Sequence, residues 1–553
     1  MGRLVLIPLF LLLLLGAAAI WNSRQAERPA DFVFVNRGDI RTLDVNEVSW
    51  ASDIMLACAL YEGLYTLDPA TLKTIPGTAS RVDISDDKRV YTFHIRPDAR
   101  WSNGDAVVAG DYVFSWKRML RRPGHYGYLF NFIEGAGEYR EAIAAGKAAD
   151  SASVGIEIIN DHTLRVTLNE SLSVFPDLCA FPAFFPLHER SMRPFAEDDA
   201  GKYRPEFMRP PNLVSNGPFR LTRWDFKQRI RIEANEHYWD RKNVKSRVID
   251  QVVVEDNGLG EFLRYETGTA DWLADVDPET TAELLLRNRR DPLHARRDLH
   301  VFGAFGTYFY CFNCQPGLRD GRANPFVDRR VRRAFALAVE RRPIVETVTR
   351  CGERVAGHYI PNETFPAYRR PAGQSFDPVQ ATRLLAQAGF PGGVGFPRVS
   401  IVYSTAAQDG DIAQVVVGQW KQVLGVEVEL AGVESSEFSH RLHNQEYAIA
   451  RGSWFGDYDD PSTFLDKYRS TADNNDCKWV SSRYDELCRR AVGEIDTQKR
   501  LDMLAQAEGI LLDEAPIVPL YYYTNRYMFR SNVKGIIMHP RNMVMLKSVH
   551  VEK

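Results

Sequence analysis

The sequence predicts an α/β protein of several domains, and three observations carry that reading. A chain of 553 residues exceeds what one hydrophobic core organises. The stretch 325–430 alternates capped helices with apolar strands, the pattern of a largely parallel sheet. The earlier part carries short segments with a period of two, as half-buried strands do.

Taken in order, Phe32-Val33-Phe34-Val35 reads as a strand and Arg37-Gly38-Asp39 as a turn. After Val48-Ser49-Trp50, the residues Ile54, Met55, Ala57, Cys58 and Tyr61 form one face of a helix. Glu62-Gly63 reads as its stop, with the glycine as C-terminal cap. Residues 89–95 and 162–168 alternate as strands, and Ala109 opens a helix carrying Arg118 and Arg121. Ser215-Asn216-Gly217-Pro218-Phe219 is a turn leading into a hairpin of 220–224 with 229–233. Residues 299–312 begin a new strand-led unit. In 325–338, Asp328 caps a helix whose buried face is Val331, Phe335 and Ala338. Its arginines read as a solvated face with domain contacts, because no glycine-rich phosphate cradle precedes them. A helix over 377–389, a strand at 399–403, a helix at 412–424 and a strand at 425–430 follow. The chain ends with a helix at 500–514, a strand at 516–523 and a closing strand pair over 533–546.

Composition limits what the protein can do. A net charge of -3 recruits neither a nucleic-acid backbone nor an acidic membrane surface. Arg3, the apolar run from Leu4 to Leu15 and the Ala17-Ala18-Ala19 site form an export signal. The run continues to Trp21, near the ~20 residues of a spanning helix, so residues 1–21 are either a cleaved signal peptide or a retained anchor. No cysteine is placed there for lipid attachment. The seven cysteines are too few for a disulfide scaffold, but Cys477 and Cys488 lie close enough in sequence to predict a pair. Cys311 and Cys314 fall in a strand-like run that sends them to opposite faces, so buried free thiols are expected there.

One stretch carries candidate chemistry: Arg451, Trp454, Phe455, Gly456, Asp457 and Tyr458, after an apolar strand at 447–450 that feeds a loop. Trp454 and Tyr458 flank a single acid, which suits an ammonium group beside an apolar body. The plainer reading makes Asp457, Asp459 and Asp460 turn and cap residues and Trp454 core. Against catalysis, the sequence holds no HExxH, GxSxG or P-loop, and Gly392-Gly393-Val394-Gly395 is a turn rather than a dinucleotide loop. Neither a catalytic residue nor a metal ligand is assigned, and no cofactor is implied. An exported multidomain protein without reaction chemistry points to binding.

The motifs resemble those of the extracytoplasmic oligopeptide- and dipeptide-binding proteins of bacterial ABC importers, solute-binding protein family five. The resemblance rests on Tyr61-Glu62-Gly63-Leu64, the block from Tyr91 to Trp116, Asn216-Gly217-Pro218-Phe219, Tyr238-Trp239, the 325–334 helix and the Trp454-to-Leu465 loop, in family order. It implies a two-lobed periplasmic-binding-protein clamp, type II-like, with an extra inserted domain. Lobe I would combine 30–64, 185–298 and 526–553, the insertion 65–184, and lobe II 299–525. The ligand would be enclosed as the lobes close. By resemblance Asp457 pairs with a peptide's α-amino group, and Trp454, Phe455 and Gly456 border the peptide. Val48, Ser49 and Trp50 supply strand-like pairing from the other lobe, and Arg451 faces side chains or the carboxylate. The implied partners are short peptides and permease subunits in the inner membrane, met by a monomer in the periplasm. The alternative ligand is a metal chelate or another small amine-bearing solute.

Overall fold

A computed structural model describes residues 27–552 except 173, 199–200, 255–257, 320, 362–363 and 406–407. Its backbone is one large mixed sheet that joins two portions of the chain, with a small four-stranded sheet beside it and two further strand pairs. Strand β1 (Phe32–Arg37) begins the large sheet, and helix α1 (Ala51–Leu60) follows it. The small sheet is antiparallel and built from β2 (Ala79–Ile84), β3 (Val90–Ile95), β4 (Ile156–Asn160) and β5 (Thr163–Thr167), in the order β2-β3-β5-β4. Helix α2 (Ala109–Arg121) lies between β3 and β4 in sequence. Strict alternation of burial along β3 is what its period-two sequence dictates.

The large sheet continues with β6 (Phe219–Asp225), β7 (Arg229–Ala234), β8 (Val248–Val254) and β9 (Trp272–Leu273). Strand β1 pairs in parallel with both β8 and β9. Strand β10 (Leu299–Phe312) then runs antiparallel to β14 (Ile517–Phe529) from Leu299↔Met528 to Cys311↔Ile517. At one end β14 pairs with β9; along its other flank β10 pairs with β13 (Ile449–Phe455). These two long strands carry the sheet from one portion to the other. Their register slips between Gly303 and Thr307, an irregularity of the kind that bends a strand.

The second portion is the α/β unit expected from its sequence. Strands β11 (Val399–Ser404) and β12 (Val428–Val433) are parallel, β11 is also parallel to β13, and a helix over Asp409–Leu424 connects β11 to β12. The Arg329–Leu337 helix is capped by Asp328, whose Oδ1 accepts from the Arg330 amide at 2.8 Å. Val331 and Phe335 of that helix share a core with Trp420, whose indole donates to the Phe335 carbonyl at 2.9 Å.

Several expectations are corrected. Helix α1 ends at Leu60 with Tyr61 extended, so Gly63 is not its cap. Gly63 is needed for contact instead, since a Cβ there would lie 2.2 Å from the Cys179 carbonyl oxygen. Cys477 and Cys488 are both free thiols: each is buried in the same core, and neighbouring positions in sequence do not align their side chains. The terminal strand pair joins Val533–Lys534 to His550–Val551, while Leu546 lies in a short helical turn. Among the described residues no helix is long and apolar enough to cross a membrane. The export segment 1–21 lies outside the described residues.

A buried ion pair ties the turn before α1 to α2. Arg118 donates to Asp44 at 2.6 and 2.8 Å, and both side chains are almost fully enclosed. Breaking one partner strands a charge in the interior. Asp44→Ala is expected to lower stability by about 3–5 kcal/mol, read as a lower urea midpoint.

Candidate functional site

Strand β13 is longer than the sequence indicated: Arg451 to Phe455 belong to the strand, not to a loop, because β10 supplies ladder partners as far as Gly306↔Phe455. The Gly456 amide then donates to the Phe305 carbonyl at 2.9 Å. A Cβ on Gly456 would stand 2.1 Å from the Phe305 ring, so only glycine allows this approach. The next residue is Asp457. Its amide donates to Thr463 Oγ1 and the Trp454 indole to the Thr463 carbonyl, both at 2.8 Å. One buried threonine thus sets the acid and the tryptophan together.

The carboxylate of Asp457 accepts from the Tyr128 hydroxyl at 2.6 Å, across 329 residues. Tyr128 comes from the turn Gly127–Phe132 beyond α2. Burial pushes the Asp457 carboxyl up to about 6, against the Tyr128 hydrogen bond and the positive charges of Arg541 and Lys467, which pull it down. Burial and the adjacent carboxylate also drive the Tyr128 phenol well above its usual range. No ion pair to Asp457 occurs among the described residues, although Lys467 lies 4.9 Å over the Trp454 ring. Lys467 is itself held by the Asn474 carbonyl at 2.6 Å and Asp476 at 2.7 Å.

The other acids of the stretch fare differently. Asp460 caps the Ser462 amide at 2.9 Å and takes a two-pronged pair from Arg500 at 2.6 and 2.8 Å, so it is structural. Asp459 is exposed. Tyr458 follows Asp457, but its ring is enclosed rather than open to solvent. It is buried, its hydroxyl donates to Asp466 at 3.0 Å, and it joins the core that contains Tyr126 and Phe181.

Arg451 is also less available than expected. Its guanidinium donates to Tyr523 Oη at 2.9 Å and Ser453 Oγ at 3.1 Å, lies 3.5 Å from Asp409 and sits 5.0 Å over the Tyr308 ring. Phe455 is 51% exposed and stacks on Tyr523, with ring centres 4.8 Å apart. On the other portion, Val48 is buried, Ser49 partly exposed and Trp50 52% exposed beneath the Arg41 guanidinium at 3.8 Å. Trp50 has extended backbone angles, φ -99° and ψ 143°. A cavity of about 420 Å³ separates Lys88 and Asp177 near the small sheet from Asp459, Asp460 and Arg500.

Tyr128 is the residue the sequence did not disclose. The only hint is the aromatic run Tyr126-Gly127-Tyr128-Leu129-Phe130, which has no spacing that marks a site.

The profile described as Bacterial extracellular solute-binding proteins, family 5 Middle, matches residues 73–476. The chain belongs to this family. It is 32% identical over 489 residues to the oligopeptide-binding protein OppA of Bacillus subtilis, covering 86% of this chain and 85% of that protein. It is 30% identical over 553 residues to the periplasmic murein peptide-binding protein MppA of Escherichia coli, covering 97% of each. The solved structure of Listeria monocytogenes OppA bound to peptide superposes with a TM-score of 0.75 at 27% identity, covering 94% of this chain and 99% of that one. The two-lobed α/β architecture of these solute-binding proteins is therefore the fold of this chain.

The sign of the Asp457 shift has a consequence for stability. A carboxyl raised to about 6 in the folded state binds its proton more tightly than in the unfolded chain. Folding therefore loses stability as pH rises from the ordinary carboxylate range to about 6, and the loss is complete above it. Asp457→Asn should raise the thermal midpoint at pH 8, by about 1–3 kcal/mol of stability, and leave it nearly unchanged at pH 4.

Proposed function

We propose that this family-5 protein is the substrate-binding component of an ABC importer and that it captures short peptides between its lobes, with Asp457 holding the α-ammonium group. The observation that carries this reading is a partly buried carboxylate, its acidity weakened by burial, whose hydrogen bond at the site comes from a neutral hydroxyl, Tyr128. An incoming ammonium supplies the missing positive charge in a site where such a bond is strong. The Trp454 face and the exposed Phe455 ring border the apolar body beside that charge. The extended backbone around Trp50 offers strand-like hydrogen bonds from the opposite lobe. The peptide names borne by the relatives point the same way.

The boundaries of this reading are 30–64, 185–298 and 526–553 for lobe I, 65–184 for the insertion and 299–525 for lobe II. The protein works as a monomer outside the cytoplasmic membrane, after cleavage of residues 1–21 or tethered by them, and delivers its cargo to permease subunits in the inner membrane. With these boundaries the large sheet would cross between lobes at β10 and β14, adjacent in the strand order, and closing would require bending at two strands.

Calorimetric titration with a mixture of short peptides tests the assignment. Asp457→Ala is expected to weaken binding by about 2–5 kcal/mol, and unchanged affinity removes the proposed anchor. Because the carboxyl titrates near 6, affinity should also fall about tenfold for each pH unit below that value. A flat profile between pH 7 and pH 5 contradicts an ionic grip by Asp457.

A further inference from the structure

Two of the free thiols are brought together by elements far apart in sequence. Cys311 is 1% exposed and Cys477 0% exposed. Cys311 lies on β10 opposite Ile517 of β14, and the Cys477 thiol donates to the carbonyl of the adjoining Pro516 at 3.5 Å. The Cys314 amide donates to the Cys477 carbonyl at 2.8 Å. From the other side the Cys311 thiol reaches Tyr447 Oη at 3.8 Å, and that hydroxyl donates to the Asp476 carbonyl at 2.5 Å. Burial, and then the Cys311 thiol itself, hold the Cys477 thiol well above its usual range. Cys488 belongs to the same core but sits on the Ser482–Gly493 helix.

We propose that Cys311 and Cys477 close a disulfide when the chain folds in an oxidising compartment, a step that rests on the extracytoplasmic reading above. One cysteine thiolate attacks the disulfide of a small or protein disulfide oxidant, forms a mixed disulfide and expels a thiolate. The second cysteine thiolate attacks the mixed disulfide and expels the other thiolate. The two protein thiols give up two protons and two electrons, and the oxidant is reduced to two thiols. The bond forms during folding, since both sulfurs are sealed from solvent afterwards.

Such a bond would brace the binding site from behind. Lys467 lies over Trp454 because the Asn474 carbonyl and the Asp476 carboxylate hold its ammonium, and Cys477 is the next residue. A disulfide to β10 pins that turn to the strand that also pairs with Trp454.

The test is refolding of the full chain from denaturant with reduced and oxidised glutathione, followed by alkylation in denaturant and mass mapping. The expected result is two of the seven thiols protected, a peptide linking Cys311 to Cys477, and a higher urea midpoint than for Cys477→Ala. Cys311→Ala should free Cys477 to alkylation, and Cys488→Ala should leave the linkage intact. Seven alkylated thiols, or a linkage involving any other pair, overturns the proposal. Peptide binding is measured on the same refolded protein, so failure of the disulfide and failure of the peptide reading are distinguished.

Discussion

A half-buried carboxylate, raised by desolvation and with no ion pair of its own among the described residues, is the constraint around which this molecule is arranged. Asp457 follows the last ladder residue of β13, where Gly456 allows the chain to pass the Phe305 ring and Thr463 fixes what comes next. Three residues on, Asp460 is more deeply buried and fully answered by the Arg500 guanidinium. The contrast separates a structural acid from the one proposed to hold a ligand. A charge that is expensive in the empty protein becomes favourable once a ligand supplies its opposite.

The same carboxylate is also a point of contact between distant parts of the chain. Its partner Tyr128 lies near the small sheet, while the strand before it belongs to the second portion. The Tyr128 bond can form only when the two approach each other. β10 and β14 carry the large sheet between the portions, and their register is irregular near Gly303; on the proposed reading, bending there would separate or unite the pair without unfolding either core. On the proposed reading, Tyr128 would join ligand recognition to closure.

What was legible in the sequence was local. The Asp328 cap and the Val331–Phe335 face follow from rules spanning a few residues, and the structure contains both. The burial alternation of β3 was equally plain. Long-range partners were not. Tyr128 carries no spacing signal, and Arg451 looked free because Asp409 and Tyr523 come from other elements. The Tyr458 ring joins the core that holds Tyr126 and Phe181, which its place beside Asp457 in sequence does not reveal. The cysteines repeat the lesson: Cys477 and Cys488 are close in sequence, yet Cys477 packs against Pro516, beside the Cys311–Ile517 pair of the β10–β14 ladder.

The central claim is that a ligand ammonium group completes the charge balance at Asp457. The most direct measurement compares one short peptide with its N-acetylated form, identical except for the ammonium, by calorimetry at neutral pH. The account predicts that acetylation weakens binding by on the order of a hundredfold or more. Equal affinity for the two forms would contradict it.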